Sequence, residues 1–80
     1  IDEEFEIVGG QEATGEDTGT VIFECLCKSS VFSVRPRGSR GFRKEMWENL
    51  FSYIGKKLTV RYQNLSEQGV PRFPVGISIR

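Results

Sequence analysis

Apolar and polar residues alternate with period two through most of this 80-residue chain, and the spacing turns helical once. Residues 1–8, IDEEFEIV, set Phe5 and Ile7 on one face against Glu4, Glu6 and Val8, which predicts a half-buried strand. GGQEATGEDTG follows without periodicity and predicts a mobile loop. TVIFECLC alternates again, with Val21, Phe23, Cys25 and Cys27 on one side and Ile22, Glu24 and Leu26 on the other. After a short KSS turn, VFSVRP carries Phe32 and Val34 inward, so these two runs read as a hairpin. RPRGSRGFRK, broken by Pro36, Gly38 and Gly41, predicts a loop leaving the sheet. From Phe42 to Ile54 the apolar residues Phe42, Met46, Trp47, Leu50, Phe51 and Ile54 form one stripe, the mark of a single amphipathic helix. Trp47, in the middle of that stripe, reads as core rather than as a stacking platform, and Gly55 suits a left-handed C-cap. The next strand places Leu58, Val60 and Tyr62 against Thr59, Arg61 and Gln63. NLSEQGVP turns the chain, and the last strand sets Phe73, Val75, Ile77 and Ile79 inward with Arg72, Pro74, Gly76, Ser78 and Arg80 outward. Pro74 cannot donate a ladder hydrogen bond, so pairing near it should be at an edge or irregular.

The order strand, loop, strand, strand, helix, strand, strand predicts an all-β chain with one helix: a five-stranded OB-fold barrel, the helix between strands 3 and 4. Eighty residues suit one domain, 1–80, with one core. No apolar run is long enough to span a bilayer and no signal-peptide pattern opens the chain, so neither a membrane partner nor export is expected. A start at Ile1 rather than Met fits a fragment of a longer polypeptide.

Charge changes this picture. Residues 1–17 hold seven acids and no base, while residues 18–80 hold eleven bases against four acids, a net of plus seven. A basic surface of that kind attracts phosphate backbones. Arg35, Arg37, Arg40, Arg43 and Lys44 crowd the segment after the third strand and repel one another, which favours phosphate contact over a merely solvated turn. The glycines of the acidic loop do not make a phosphate cradle, because the Lys-Ser/Thr ending is missing and the acids repel phosphate. Cys25 and Cys27 stand two apart on one strand face, unsuited to a mutual disulfide, and the absence of histidine excludes a Cys/His zinc site, so no metal ligands are assigned. Two buried free thiols fit a reducing, intracellular setting.

Tyr53 to Arg80, YIGKKLTVRYQNLSEQGVPRFPVGISIR, resembles the closing segment of the OB domain of compact ATP-dependent DNA ligases, with its Gly-Lys lead-in, Val-Xaa-Tyr strand, PRFP and Ile-Arg ending. FSVRPRGS, residues 32–39, and DEEFEIV, residues 2–8, are similar to the middle and beginning of that domain. The resemblance implies a nick-sealing enzyme of DNA repair, replication or recombination, acting through lysyl-AMP and DNA-adenylate, with ATP and Mg2+ as cofactors. It implies nicked duplex DNA and an adenylation domain of the same polypeptide as partners, in a monomer. No Lys-Xaa-Asp-Gly motif occurs, so the 80 residues alone are expected to be inactive. Arg72 and Arg80 match arginines of the family's last nucleotidyltransferase motif, which implies contacts to ATP phosphates during adenylation. Extended at about 3.3 Å per residue, one strand would put them on the same face and roughly 26 Å apart. Arg35, Arg37, Arg40 and Arg43, with Lys44, Lys56, Lys57 and Arg61, would grip DNA phosphates. Three other readings stand beside this one: an autonomous single-stranded nucleic-acid-binding OB module, an OB domain of an RNA ligase or capping enzyme, and a protein-binding barrel.

Overall fold

A computed structural model describes all residues, Ile1 to Arg80. The strands are β1 (Asp2–Glu12), β2 (Val21–Cys27), β3 (Ser30–Pro36), β4 (Lys57–Arg61), β5 (Asn64–Leu65), β6 (Pro71–Arg72) and β7 (Val75–Ile79). Helices α1 (Arg40–Glu48) and α2 (Leu50–Tyr53) lie between β3 and β4. Five strands close a barrel in the order β1-β2-β3-β7-β4, and β5 and β6 form a separate two-stranded sheet. This is the expected OB-fold barrel, with its main helix between the third and fourth barrel strands.

The inward residues of β1 to β4 follow from their alternation. Phe5, Ile7, Val21, Phe23, Cys25, Phe32, Val34, Leu58, Val60 and Tyr62 are all buried, and Met46 of α1 joins them. Phe5 and Phe32 meet edge to face with ring centroids 5.0 Å apart, a favoured aromatic geometry. Burial pushes the Cys25 thiol up to about 12, so it stays neutral in the core. Cys27 is half-buried and donates from Sγ to the Gly69 carbonyl at 3.3 Å.

Four expectations are corrected. The run after Val8 is not all loop: β1 continues through Gly9, Gly10, Gln11 and Glu12, with a bulge between Ile7 and Gly9. Its first half pairs with β4 and its second with β2, so the strand must bend between two neighbours. Gly10 makes room for α2 against this strand, since a Cβ there would stand 2.9 Å from Leu50 Cδ1. The basic segment is mostly not a loop either, because Ser39 caps α1 by accepting from the Phe42 N–H at 3.1 Å and Arg40, Arg43 and Lys44 become helical.

The single helix is broken. Asn49 (φ −113°, ψ 32°) donates from its side chain to the Glu45 carbonyl at 3.0 Å, closing α1 before the four-residue α2 begins. Met46 stays in the core and Trp47, Leu50 and Tyr53 pack against it, but Phe51 is left 90% exposed. Trp47 is therefore structural, as its place in the stripe implied.

The last strand changes phase. Ile79 pairs with Leu58 and Ser78 with Thr59, but the register then skips Ile77, so that Gly76 faces Val60 and Val75 faces Arg61. The bulge puts Gly76 inward and leaves Val75 44% exposed, and Phe73, outside the strand between β6 and β7, is 73% exposed, in place of the uniform apolar inner face. At this point β7 also meets β3 in parallel, through Arg35 with Val75 and Pro36 with Gly76. A Cβ on Gly76 would lie 3.1 Å from both Leu58 methyls and 3.2 Å from the Pro36 Cα. Gly76→Val should therefore destabilise the fold by about 1–3 kcal/mol, read as a lower urea midpoint. An unchanged midpoint would mean that the seam is not tight.

Candidate nucleic-acid interface

The barrel brings the acidic start of the chain against part of its basic remainder. Asp2 and Arg61 are register partners across β1 and β4, and Arg61 donates to both Asp2 oxygens, at 2.9 and 3.2 Å. That hydrogen bonding holds the Asp2 carboxyl below the usual carboxylate range and raises Arg61 in turn. Arg80 lies 3.2 Å from Glu4. Asp17, in a short 3-10 turn at Gly15–Asp17, accepts from Arg35 at 2.8 Å and stands 3.5 Å from Arg43. Tyr62 donates to Glu3 at 2.7 Å, and this bond, with burial, raises the phenol above its ordinary range. Every ion pair thus joins an acid of residues 1–17 to an arginine of residues 35–80.

These pairs divide the basic residues singled out from the sequence. Arg35, Arg43, Arg61 and Arg80 carry acidic partners, whereas Arg37, Arg40, Lys44, Lys56, Lys57 and Arg72 form no ion pair and are exposed. Arg37 follows β3, Arg40 and Lys44 stand four apart on α1, Lys56 precedes β4 and Lys57 opens it. Arg37 and Lys56 line one pocket of about 290 Å³, together with Phe42, Met46, Tyr53 and the β7 segment from Gly76 to Ile79. Tyr53 packs its ring 6.0 Å from that of Phe23, which draws it toward the core.

Arg72 and Arg80 do not share a straight strand face. Arg72 sits on β6, paired with Asn64 of β5, while Arg80 follows β7 and exchanges backbone hydrogen bonds with Lys57 at 2.8 and 3.0 Å. Between them lie Phe73, whose φ is +53°, and the bulge at Ile77, so a separation counted along one extended strand does not apply.

Two features escape a reading of the sequence. Phe73 is bulky, exposed and left-handed, a conformation costing roughly 1–2 kcal/mol outside glycine. Its flanking prolines, Pro71 and Pro74, were the available sign of an irregular segment. The pairing of Asp17 with two arginines left no sequence signal beyond the overall charge partition. No group of three or more His, Cys, Asp or Glu side chains comes together to hold a metal ion, and no helix is long and apolar enough to cross a membrane.

Residues 16–80 match the family model described as the DNA ligase OB-like domain. Among solved structures, a Chlorella virus DNA ligase-adenylate superposes with a TM-score of 0.76 at 30% identity, covering 100% of this chain and 30% of the viral enzyme. A second Chlorella virus ligase-adenylate structure gives a TM-score of 0.70 at 31% identity, with the same 30% of its chain covered. Pmar-Lig, with a TM-score of 0.73 at 23% identity, shares the fold over 21% of its length. No curated protein sequence matches significantly. The chain therefore spans less than a third of each of these relatives.

Proposed function

The chain belongs to the DNA ligase OB-like domain family, and from that membership we propose that it is the OB unit of an intracellular ATP-dependent DNA ligase. In this reading it works beside an adenylation domain of the same polypeptide and grips nicked duplex DNA. The supporting observation is the run of unpaired cations from the end of β3 through α1 to the start of β4: Arg37, Arg40, Lys44, Lys56 and Lys57. Exposed cations without acidic partners neutralise phosphates and release counterions, which gives affinity and register without reading sequence. An enzyme that seals nicks in any sequence needs that kind of contact.

Arg72 is given a separate task. Exposed, unpaired and placed in the excursion between β4 and β7, it has a guanidinium free for an external phosphate. ATP supplies the adenylyl group, and Arg72 would orient its phosphates and offset the charge that grows as pyrophosphate leaves. Arg80 would need to release Glu4 before doing the same, so it is the weaker contributor.

The exposed rings of Phe51 and Phe73 give the single-strand reading some support, since stacking platforms must be open. They stand on α2 and beside β6, outside the five strands of the barrel.

In the complete polypeptide, Arg37→Ala with Arg40→Ala should weaken nicked-duplex binding and flatten its salt dependence, the log–log slope falling by roughly 0.9 for each phosphate no longer neutralised. Fluorescence anisotropy over a salt series measures both, and unchanged affinity and slope would remove these residues from the interface. Tighter binding to a single strand than to the nicked duplex would favour the stacking module. Arg72→Ala should slow adenylation of the enzyme by ATP while sparing the sealing of pre-adenylated nicks. Equal losses in the two assays would assign it to DNA or to the fold.

A further inference from the structure

Asp17 stands where an external anion could bind. Its Oδ2 accepts from Arg35 Nη1 at 2.8 Å and its Oδ1 is 3.5 Å from Arg43 Nη1, so one carboxylate spans guanidinium groups from β3 and α1. Arg43 is fixed independently: its Nε donates to the Gly38 carbonyl at 3.2 Å, and its side chain is only 21% exposed. Asp2 and Glu4 each hold a single arginine, and only Asp17 holds two.

The backbone of Asp17 is anchored apart from its carboxylate. Its carbonyl accepts from the Thr20 N–H at 3.0 Å and from Thr20 Oγ1 at 2.6 Å, and Thr20 is buried. The Asp17 side chain is 37% exposed, and its carboxylate is held by the two arginines rather than by that anchor. Rotation of the side chain alone can therefore vacate the space between Arg35 and Arg43 while the turn keeps its place. Exposed ion pairs are weak and are screened by salt, so a polyanion can displace one.

We propose that Arg35 and Arg43 form a phosphate site whose resting occupant is Asp17, and that a DNA backbone phosphate replaces this carboxylate on binding. The proposal rests on the duplex-binding reading and adds a regulatory part to it. Two guanidinium groups converging on one anion suit a phosphodiester oxygen pair as they suit a carboxylate. The carboxylate offsets the charge of the two arginines when DNA is away, which weakens capture of stray polyanions and demands several phosphates at once.

The test compares Asp17→Asn, Glu16→Gln and Arg35→Ala/Arg43→Ala in the complete polypeptide, with Asp17→Asn also placed in the double-arginine background. Dissociation constants for a nicked duplex are measured by anisotropy at low and moderate salt, with thermal unfolding as the check on folding. Asp17→Asn should tighten binding roughly two- to fivefold at low salt, more than Glu16→Gln, which removes a neighbouring acid that holds no arginine. The gain should vanish in the double-arginine background. Weaker binding by Asp17→Asn would show that the carboxylate only positions the arginines and would overturn the proposal. A gain equal to that of Glu16→Gln, or one that survives without the arginines, would overturn it as a general charge effect. If wild type binds and Asp17→Asn binds equally, this inference fails and the duplex reading stands; if neither wild type nor any variant binds, both fall.

Discussion

The seam between β3 and β7 is the contact on which the molecule turns. It is parallel and only two residue pairs long, Arg35 with Val75 and Pro36 with Gly76, yet without it the sheet would be an open five-stranded ribbon. Gly76 makes the approach possible because Leu58 and the Pro36 backbone occupy the space of its missing side chain. Closure also fixes what happens on either side. The bulge at Ile77 brings Gly76 inward, and the Arg37 N–H reaches the Gly76 carbonyl at 2.7 Å, carrying the seam to the start of the basic segment. Barrel closure and the placing of Arg37 are thus one event.

The same topology accounts for the uneven charge of the chain. Because β1 is shared between β2 and β4, acids at its beginning are laid beside Arg61 and the chain end, and the turn after β1 brings Asp17 to β3 and α1. Four arginines are countered internally; of the seven cations left over, five run from Arg37 through α1 to Lys57, with Arg72 set apart on β6 and Lys28 in the turn between β2 and β3. Overall neutrality therefore hides a divided surface. Each exposed pair adds little stability; together they decide which cations remain open to a polyanion.

Much of this was legible in the residues. Alternation in β2, β3 and β4 told which side chains face inward, because neighbouring side chains of a strand point to opposite faces and only one face is apolar. Pro74 announced irregular pairing where β6 and β7 separate. What could not be read was any event that shifts phase or depends on distant partners. Skipping Ile77 in the β4 register turns Val75 outward, and nothing local distinguishes that strand from a continuous one. Asn49 ends α1 through a hydrogen bond that an uninterrupted apolar stripe conceals. At the candidate interface, the basic residue types were evident, but their sorting into paired and open ones depended on contacts between residues up to 76 positions apart, as between Glu4 and Arg80.

The proposal that duplex DNA meets this domain at its unpaired cations has one most direct test. Backbone-amide NMR of the isotopically labelled chain, titrated with a nicked duplex, maps that contact residue by residue. The largest shifts are expected at Arg37, Arg40, Lys44, Lys56 and Lys57, with smaller ones around Asp17 as Arg35 and Arg43 exchange partners. Shifts confined to the β5–β6 sheet and Phe73, with the α1 and β4 cations unmoved, would contradict it.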